Sequence, residues 1–187
     1  SQKWSQGITD DLTRRANYSN HNKFRRYVKQ RQKMWEEWRE HARQQARMDF
    51  QKLMQDPLFV AGIMLYWGEG DSKLENGQVA LGNTDPDMMR LYTSFLVKVC
   101  AVPRDRIRAF AILYPDLDET TCLNFWSKAT ELPKSQFTKT QFIRGRHPTK
   151  RLSHGICMAR IGDRRLKEKI FVWIDLFQRE YPSGVDS

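Results

Sequence analysis

One apolar run of this sequence ends in a carboxylate that stands between two glycines. Residues 58–67 are apolar, aromatic or glycine, and Gly68, Glu69 and Gly70 follow them. The run falls well short of the ~20 apolar residues that a membrane-spanning helix needs, so it predicts a buried helix in a globular domain. A helix macrodipole disfavours negative charge at the C-terminal end. Glu69 is therefore either a solvated residue in a glycine-containing turn or the ligand of a cation, and the run alone leaves both interpretations open.

A longer helix is predicted before this run. The residue before a proline avoids the α region, so Asp56-Pro57 separates the two helices and residues 23–56 form one element. Its apolar residues recur at spacings of three and four, and Trp35 and Trp38 among them are expected in a core or a dimer contact. Its polar face is rich in arginine and lysine. This face is either an ordinary solvated surface or a surface that contacts nucleic-acid phosphates. Residues 1–22 lack this periodicity and are expected to form a flexible arm.

The rest of the chain alternates between helices and strands. Asn76-Gly77 is a hairpin signal whose second strand is residues 78–83. Further helices are predicted at residues 85–99, 118–132 and 164–181, and further strands at residues 104–114, 137–143 and 155–161. The sequence thus predicts an α+β domain over residues 57–181, followed by a short tail at residues 182–187.

The chain is strongly basic, with a formal net charge of +10. Such a charge favours a polyanionic partner, nucleic acid before an anionic membrane. The first residues are polar and contain no apolar core of a signal peptide, so an intracellular protein is expected. Cys100, Cys122 and Cys157 are widely spaced among apolar neighbours, which predicts buried reduced thiols, and no spacing typical of zinc ligands occurs.

Positive charge is concentrated late in the chain. Residues 134–167 contain ten lysines and arginines against a single acidic residue, Asp163. Strands in this segment can present a polar sheet face, which fits the major groove of duplex DNA, and the loop of residues 144–151 is predicted to reach phosphates beside it. His147 and His154 are interpreted as phosphate or solvent contacts, with metal binding or general-base catalysis as the alternative.

Several short motifs together resemble the LAGLIDADG family of homing endonucleases. The run Met64-Leu-Tyr-Trp-Gly-Glu-Gly70 is similar to the end of the family's motif helix, with Glu69 at the position of the catalytic acid. A divergent prokaryotic and phage branch of the family is resembled by Asn83-Thr-Asp-Pro-Asp87, Phe125-Trp126 and Leu132-Pro-Lys-Ser-Gln-Phe137. The resemblance covers about residues 57–180. It implies an α-β-β-α-β-β-α unit with an antiparallel saddle-shaped sheet, an inserted helix and a long helix in front.

The resemblance also implies a function. Single-motif members of the family form homodimers in which each motif helix delivers one acid to a shared cleavage site, so the implied partner is double-stranded DNA and the implied cofactor is Mg²⁺ or another divalent cation. The catalytic residues implied here are Glu69, Lys139 and Lys73, with Glu69 and Gly70 at the metal. The dimer interface implied is Gly62, Met64, Leu65 and Gly68. The DNA-binding residues expected are Arg106, Arg108, Lys139, Gln141, Arg144, Arg146, Lys150, Arg151, Arg160, Arg164 and Arg165.

Two other functions fit the same sequence. A non-catalytic DNA-binding regulator on this fold would keep the basic sheet without needing the acid. An RNA-binding or splicing helper could place such a sheet on structured RNA. Glu69 between two glycines favours the nuclease, because a carboxylate aimed at phosphate gives a pure binder no advantage.

Overall fold

The computed structural model describes residues 6–143 and 152–180, and before Lys23 chiefly the backbone. The chain forms two units, Ser1–His41 and Ala42–Ser187. Helix α1 spans Gln6–Leu53 and so contributes to both. The sequence predicted a division at the Asp56-Pro57 break. The second unit already begins at Ala42 because Ala46 and Phe50, near the end of α1, are buried in its core.

The first unit is helical throughout its described part. Residues 6–22 were expected as an arm without regular structure, and that expectation is wrong because α1 begins at Gln6. No proline or glycine lies between Gly7 and Pro57, so nothing in the sequence breaks the helix. Trp35 and Trp38 pack edge to face, 5.7 Å between ring centroids, yet both side chains are exposed rather than in a core.

Helix α2, Pro57–Glu69, confirms the helix predicted after the Asp56-Pro57 break. The Asp56 carboxylate accepts a hydrogen bond from the Leu58 N–H at 2.8 Å, and proline follows at the first helical position. Phe59, Ile63 and Tyr66 are buried on one side of the helix. The helix is therefore attached to the domain by about half of its circumference.

The predicted hairpin before β1 does not form. Leu74–Asn76 makes a 3₁₀ turn instead, and Gly77 closes it in the left-handed region at φ 63°. The second strand of the hairpin, β1 (Gln78–Asn83), is confirmed. The only trace of the first strand among the described residues is an isolated antiparallel bridge between Gly70 and Leu81. Between α2 and β1 the chain therefore makes a turn in place of a continuous first strand.

The other strands are β2 (Arg108–Leu113), β3 (Gln141–Phe142) and β4 (Ile156–Gly162). They form one sheet in the order β1-β4-β2-β3. β4 pairs antiparallel with both β1 and β2, but β3 runs parallel to β2. The expectation of a purely antiparallel sheet is wrong, because helix α4 carries the chain across before β3 and so allows a parallel pairing.

Three further helices complete the α+β fold: α3 (Pro86–Ser94), α4 (Glu119–Thr130) and α5 (Arg164–Glu180). A π-helical turn, Phe95–Val99, prolongs α3. The helices cover one face of the sheet, and the aromatic rings of Phe50, Phe59 and Trp173 join α1, α2 and α5 in the core. In the part of the chain that the structure describes, no helix is both long and apolar enough to cross a membrane.

Candidate functional site

The Gly-Glu-Gly sequence forms the last turn of α2 and its exit. Glu69 is exposed to solvent, and Gly70 follows with an N–H that donates to the Tyr66 carbonyl at 2.8 Å. A Cβ atom at Gly70 would lie 2.4 Å from that same oxygen, so only glycine allows this close approach. A Cβ at Gly68 would meet nothing within 4 Å. The first glycine therefore opens the surface beside Glu69, while the second fixes the path of the chain behind it.

A buried network holds the segment that follows Glu69. The Lys167 ammonium donates to the Tyr66 hydroxyl at 2.9 Å and to the main-chain carbonyl of Asp71. The Tyr66 hydroxyl donates to that same carbonyl at 3.0 Å. The Asp71 carboxylate in turn accepts hydrogen bonds from the Lys73 N–H and the Asn76 side chain. The exit from α2 is thus fixed on both sides of the Gly-Glu-Gly sequence.

Burial shapes the protonation of this network. Burial, and then the charge of Asp71, raises the pKa of Tyr66 well above its usual range, so its hydroxyl stays protonated and can donate. Burial lowers the pKa of Lys167, and the nearby Asp71 carboxylate opposes that shift. Burial acts against ionisation of Asp71, but hydrogen bonds from Asn76 and Lys73 and the charge of Lys167 outweigh it and lower the pKa of Asp71.

The two predicted catalytic lysines lie in different places. Lys73 is exposed just after Asp71, at the same end of α2 as Glu69. Lys139 lies between two residues paired to β2, Phe137 and Gln141, at the opposite edge of the sheet from Gly70. Four strand spacings separate these edges, roughly 19 Å. Lys139 of the same chain therefore cannot meet Glu69, and the sequence-based assignment missed Lys167 because its burial is not visible in the charge pattern.

The outward face of the sheet carries two arginines side by side. Arg108 on β2 is directly opposite Arg160 on β4, and like charges in such a pair destabilise a sheet unless an anion lies between them. Arg108 donates to the main-chain carbonyls of Asp105 and Ile107, and Arg160 lies over the Phe110 ring at 5.4 Å. Within the described residues, neither guanidinium is paired with a carboxylate.

The remainder of this face is less polar than the sequence predicted. Strand alternation places Met158 and Ile156 on the same side as Arg160, opposite Phe110 and Ile112 of β2. The Met158 side chain crosses Gly82, where an added Cβ would lie 1.9 Å from the sulfur. Gln141 is exposed beside Ile112, as a polar sheet face requires. Among the described residues of β2 and β4, the basic character of the face lies at its Arg108 end.

Several predicted DNA contacts also have partners within the domain. Arg106 lies 3.7 Å from the Asp163 carboxylate, and Arg165 donates to the Gln45 side chain. Arg164 binds the buried Glu168 carboxylate at 3.0 Å and the main-chain carbonyl of Glu75 at 2.9 Å. The predicted contacts Arg144, Arg146, Lys150 and Arg151, and the histidine His147, lie outside the described residues.

His154 also has a structural environment. Its ring stacks on Phe125 at 3.7 Å between centroids with the planes 6° apart, and its main-chain carbonyl accepts a hydrogen bond from the Trp126 indole at 2.7 Å. These contacts fix the loop before β4 onto α4. The stacking and the indole contact explain both His154 and the Phe125-Trp126 motif by packing.

The predicted dimer-interface residues separate into two groups. Gly62 faces the domain's own core, because a Cβ there would lie 2.3 Å from the Phe95 ring, and Leu65 is partly buried against that core. Gly62 therefore serves internal packing rather than a contact between copies. Met64 is 44% exposed and Gly68 is open, and Trp67, not predicted, is 45% exposed beside them.

Comparisons of the chain with protein-family models, with curated proteins and with solved structures find no match.

Proposed function

We propose that this chain binds double-stranded DNA with the outward face of its sheet and cleaves it as a homodimer, with Mg²⁺ or another divalent cation held at Glu69. The observation that carries the proposal is the cross-strand pair Arg108 and Arg160, which no carboxylate neutralises within the described residues. Two backbone phosphates, one at each guanidinium group, supply the missing negative charge. The net charge of +10 draws the same class of ligand over longer distances.

Membership of the LAGLIDADG family is part of this proposal. It is supported by the element order in which α2 and Gly70, paired to Leu81, are followed by β1, α3, β2, β4 and α5. Helix α4 and the short parallel β3 are additions to that order. The fold assigned to the family places its sheet against the DNA, and here the sheet face away from the helices is the one that carries the arginine pair.

A second copy would cover the open side of α2. The helix is apolar around its whole circumference, and Phe59, Ile63 and Tyr66 are buried in its own domain while Leu65 is partly buried against the core. Met64 and Trp67 are left almost half exposed, next to the open Gly68. A soluble helix that is apolar all round is normally buried all round, so two α2 helices packed face to face satisfy both sides.

The residues present fit a divalent cation only as half of a shared site. Among the described residues, no group of three or more His, Cys, Asp or Glu side chains could hold a metal ion. Mg²⁺ is commonly held by one or two carboxylates together with substrate phosphate oxygens and water. Glu69 from each of two copies supplies that number. The two Glu69 carboxylates would hold the cation, which would supply activation of an attacking water and stabilisation of charge on the scissile phosphate.

The test of cleavage compares the wild type with Glu69→Gln on supercoiled plasmid libraries that include native flanking DNA, with and without Mg²⁺. Glu69 is exposed and carries no packing role, so the variant is expected to bind duplex DNA as the wild type does but to lose nicking and linearisation. Equal cleavage by both proteins would refute Glu69 as the metal ligand. Absence of cleavage by the wild type, with binding intact, would refute the nuclease.

The second candidate is a DNA-binding regulator that does not cut. The observation that favours it is the solitary position of Glu69, which has no cluster of ligating side chains around it in the described part of one chain. Such a regulator shares the arginine pair and the dimer but not the metal. Sedimentation or light scattering on free and DNA-bound protein tests the dimer in both cases, and a monomeric mass with DNA bound would contradict the shared site.

A further inference from the structure

Lys167 is a fully buried lysine at the start of α5. Its side chain has 0% exposure, although lysine is almost never fully buried unless it is paired. In the sequence it belongs to the basic segment expected on the DNA-binding surface. Burial removes it from that surface, so its charge serves something inside the domain.

The ammonium of Lys167 joins the two sides of the Gly-Glu-Gly sequence. On one side it meets the hydroxyl of Tyr66, in the last turn of α2, at 2.9 Å. On the other it meets Asp71, donating to the main-chain carbonyl and lying 3.7 Å from the carboxylate. The ammonium also lies over two aromatic rings, 5.5 Å from the Tyr66 centroid and 5.3 Å from that of Phe171.

We propose that Lys167 is a positioning residue that fixes the direction of the Glu69 carboxylate by clamping Tyr66 and Asp71. The inference rests on the proposed function, because a defined direction matters only if Glu69 acts on a cation or a phosphate. Glu69 has no hydrogen-bonding partner among the described residues that would fix it directly. The position and direction from which its side chain leaves the backbone are therefore set by residues 67–70, which lie between the two residues that Lys167 holds, Tyr66 and Asp71.

The positive charge of Lys167 also favours a carboxylate at Glu69. The C-terminal carbonyls of α2 make a negative pole that disfavours the Glu69 carboxylate. A buried ammonium at this pole offsets that effect, since cations are stabilised at helix C-termini. An apolar side chain of the same length would fill the space but leave the Asp71 carbonyl without its charged donor.

The test uses four proteins: the wild type, Lys167→Met, Lys167→Arg and the control Lys169→Met. Methionine keeps the aliphatic length without the ammonium, and arginine restores a cation. Lys169 lies on the same helix and pairs with Asp49 at 3.3 Å, away from Glu69. Circular dichroism and thermal melts establish that each variant folds, and Tyr66→Phe removes one arm of the clamp if Lys167→Met does not fold.

Two amides report on the clamp without any cleavage assay. The Gly70 N–H donates to the Tyr66 carbonyl at 2.8 Å and the Asp71 N–H to the Ala80 carbonyl at 2.9 Å. Hydrogen exchange at these amides is expected to be about tenfold faster or more in Lys167→Met, the size expected for loss of a hydrogen bond to a charged group. Exchange is expected to be unchanged in Lys169→Met and partly restored in Lys167→Arg. Wild-type exchange rates in Lys167→Met would overturn the clamp.

Cleavage and binding are then measured separately on the same proteins. Plasmid nicking with Mg²⁺ is expected to fall about tenfold or more in Lys167→Met while the duplex Kd changes by less than about threefold, with partial recovery in Lys167→Arg. Faster exchange with wild-type cleavage would overturn the positioning role. A wild type that does not cleave would overturn the proposed nuclease and with it this role, whereas the exchange rates would still show whether the clamp exists.

Discussion

Removal of the cross-strand arginine pair gives the sharpest test of the DNA-binding face. The variants are Arg108→Ala, Arg160→Ala and the double variant. Arg108 is exposed on β2 and donates only to main-chain carbonyls, and Arg160 lies over the Phe110 ring on β4. Neither side chain is part of an ion pair in the described residues, so their loss does not break a network that holds the fold.

The expected magnitude follows from counterion release. Each phosphate that a protein neutralises contributes about −0.9 to the slope of log K against log salt concentration on duplex DNA. Each single variant should therefore reduce the slope by about 0.9, and the double variant by about 1.8. Between 50 and 200 mM salt, a slope difference of 1.8 corresponds to a factor of about 12 in the affinity for DNA. Raising the salt over that range should therefore weaken DNA binding by the double variant by a factor that is roughly 12 times smaller than for the wild type.

The assay is fluorescence anisotropy on a labelled random-sequence duplex at several salt concentrations. Arg104→Ala is the matched control, because the Arg104 guanidinium is already paired with Glu131 at 3.2 Å and donates to its main-chain carbonyl at 2.9 Å. Its slope is expected to equal that of the wild type. If the double variant also keeps the wild-type slope, the arginine pair does not contact phosphate, and the outward face of the sheet is not the DNA-binding surface.

Two further predictions concern stability. Gly62→Ala should destabilise the protein by about 1–3 kcal/mol, because the added Cβ would lie 2.3 Å from the buried Phe95 ring. Gly68→Ala should instead be neutral or stabilising by up to about 1 kcal/mol, because the added Cβ would meet nothing within 4 Å. Urea unfolding at one protein concentration measures both, and equal effects of the two variants would refute the packing assigned to Gly62. Burial raises the pKa of the Cys157 thiol to about 12 from 9.0, so the thiol of the unfolded protein ionises first as the pH rises. The stability that the buried neutral thiol contributes is therefore complete below pH 9.0 and is lost between pH 9.0 and about 12. Reaction with a thiol reagent at pH 8 should label Cys157 only after unfolding, and rapid labelling of the native protein would show that the thiol is not buried.

The sequence predicted the elements of the second unit better than their arrangement. Asp56-Pro57 and Asp85-Pro86 are local signals for the start of a helix, and α2 and α3 begin where these signals place them. The hairpin signal at Asn76-Gly77 is as strong locally, yet it produced a 3₁₀ turn. The difference arises because a hairpin also needs room for a first strand, and Gly70 already pairs with Leu81 at that position.

The candidate site shows the same limit. Charge composition and the Gly-Glu-Gly sequence singled out Glu69 and a basic segment as candidates, because residue type and spacing are properties of the chain itself. They could not tell which of the basic residues were free. Arg106 and Arg164 are bound by Asp163 and Glu168, and Arg108 and Arg160 become neighbours only through the register of β2 and β4.

By itself, then, the sequence determined an α+β chain with a long basic helix, a short apolar helix and one carboxylate at the end of that short helix. The tertiary structure alone decided that the sheet is mixed, that Lys139 lies at the edge of the sheet opposite Gly70, and that Lys167 is buried against Tyr66 and Asp71. The physical reason is that helix ends and apolar periodicity depend on neighbours in the sequence. Pairing, burial and the partner of each charge depend instead on residues brought together from far apart along the chain.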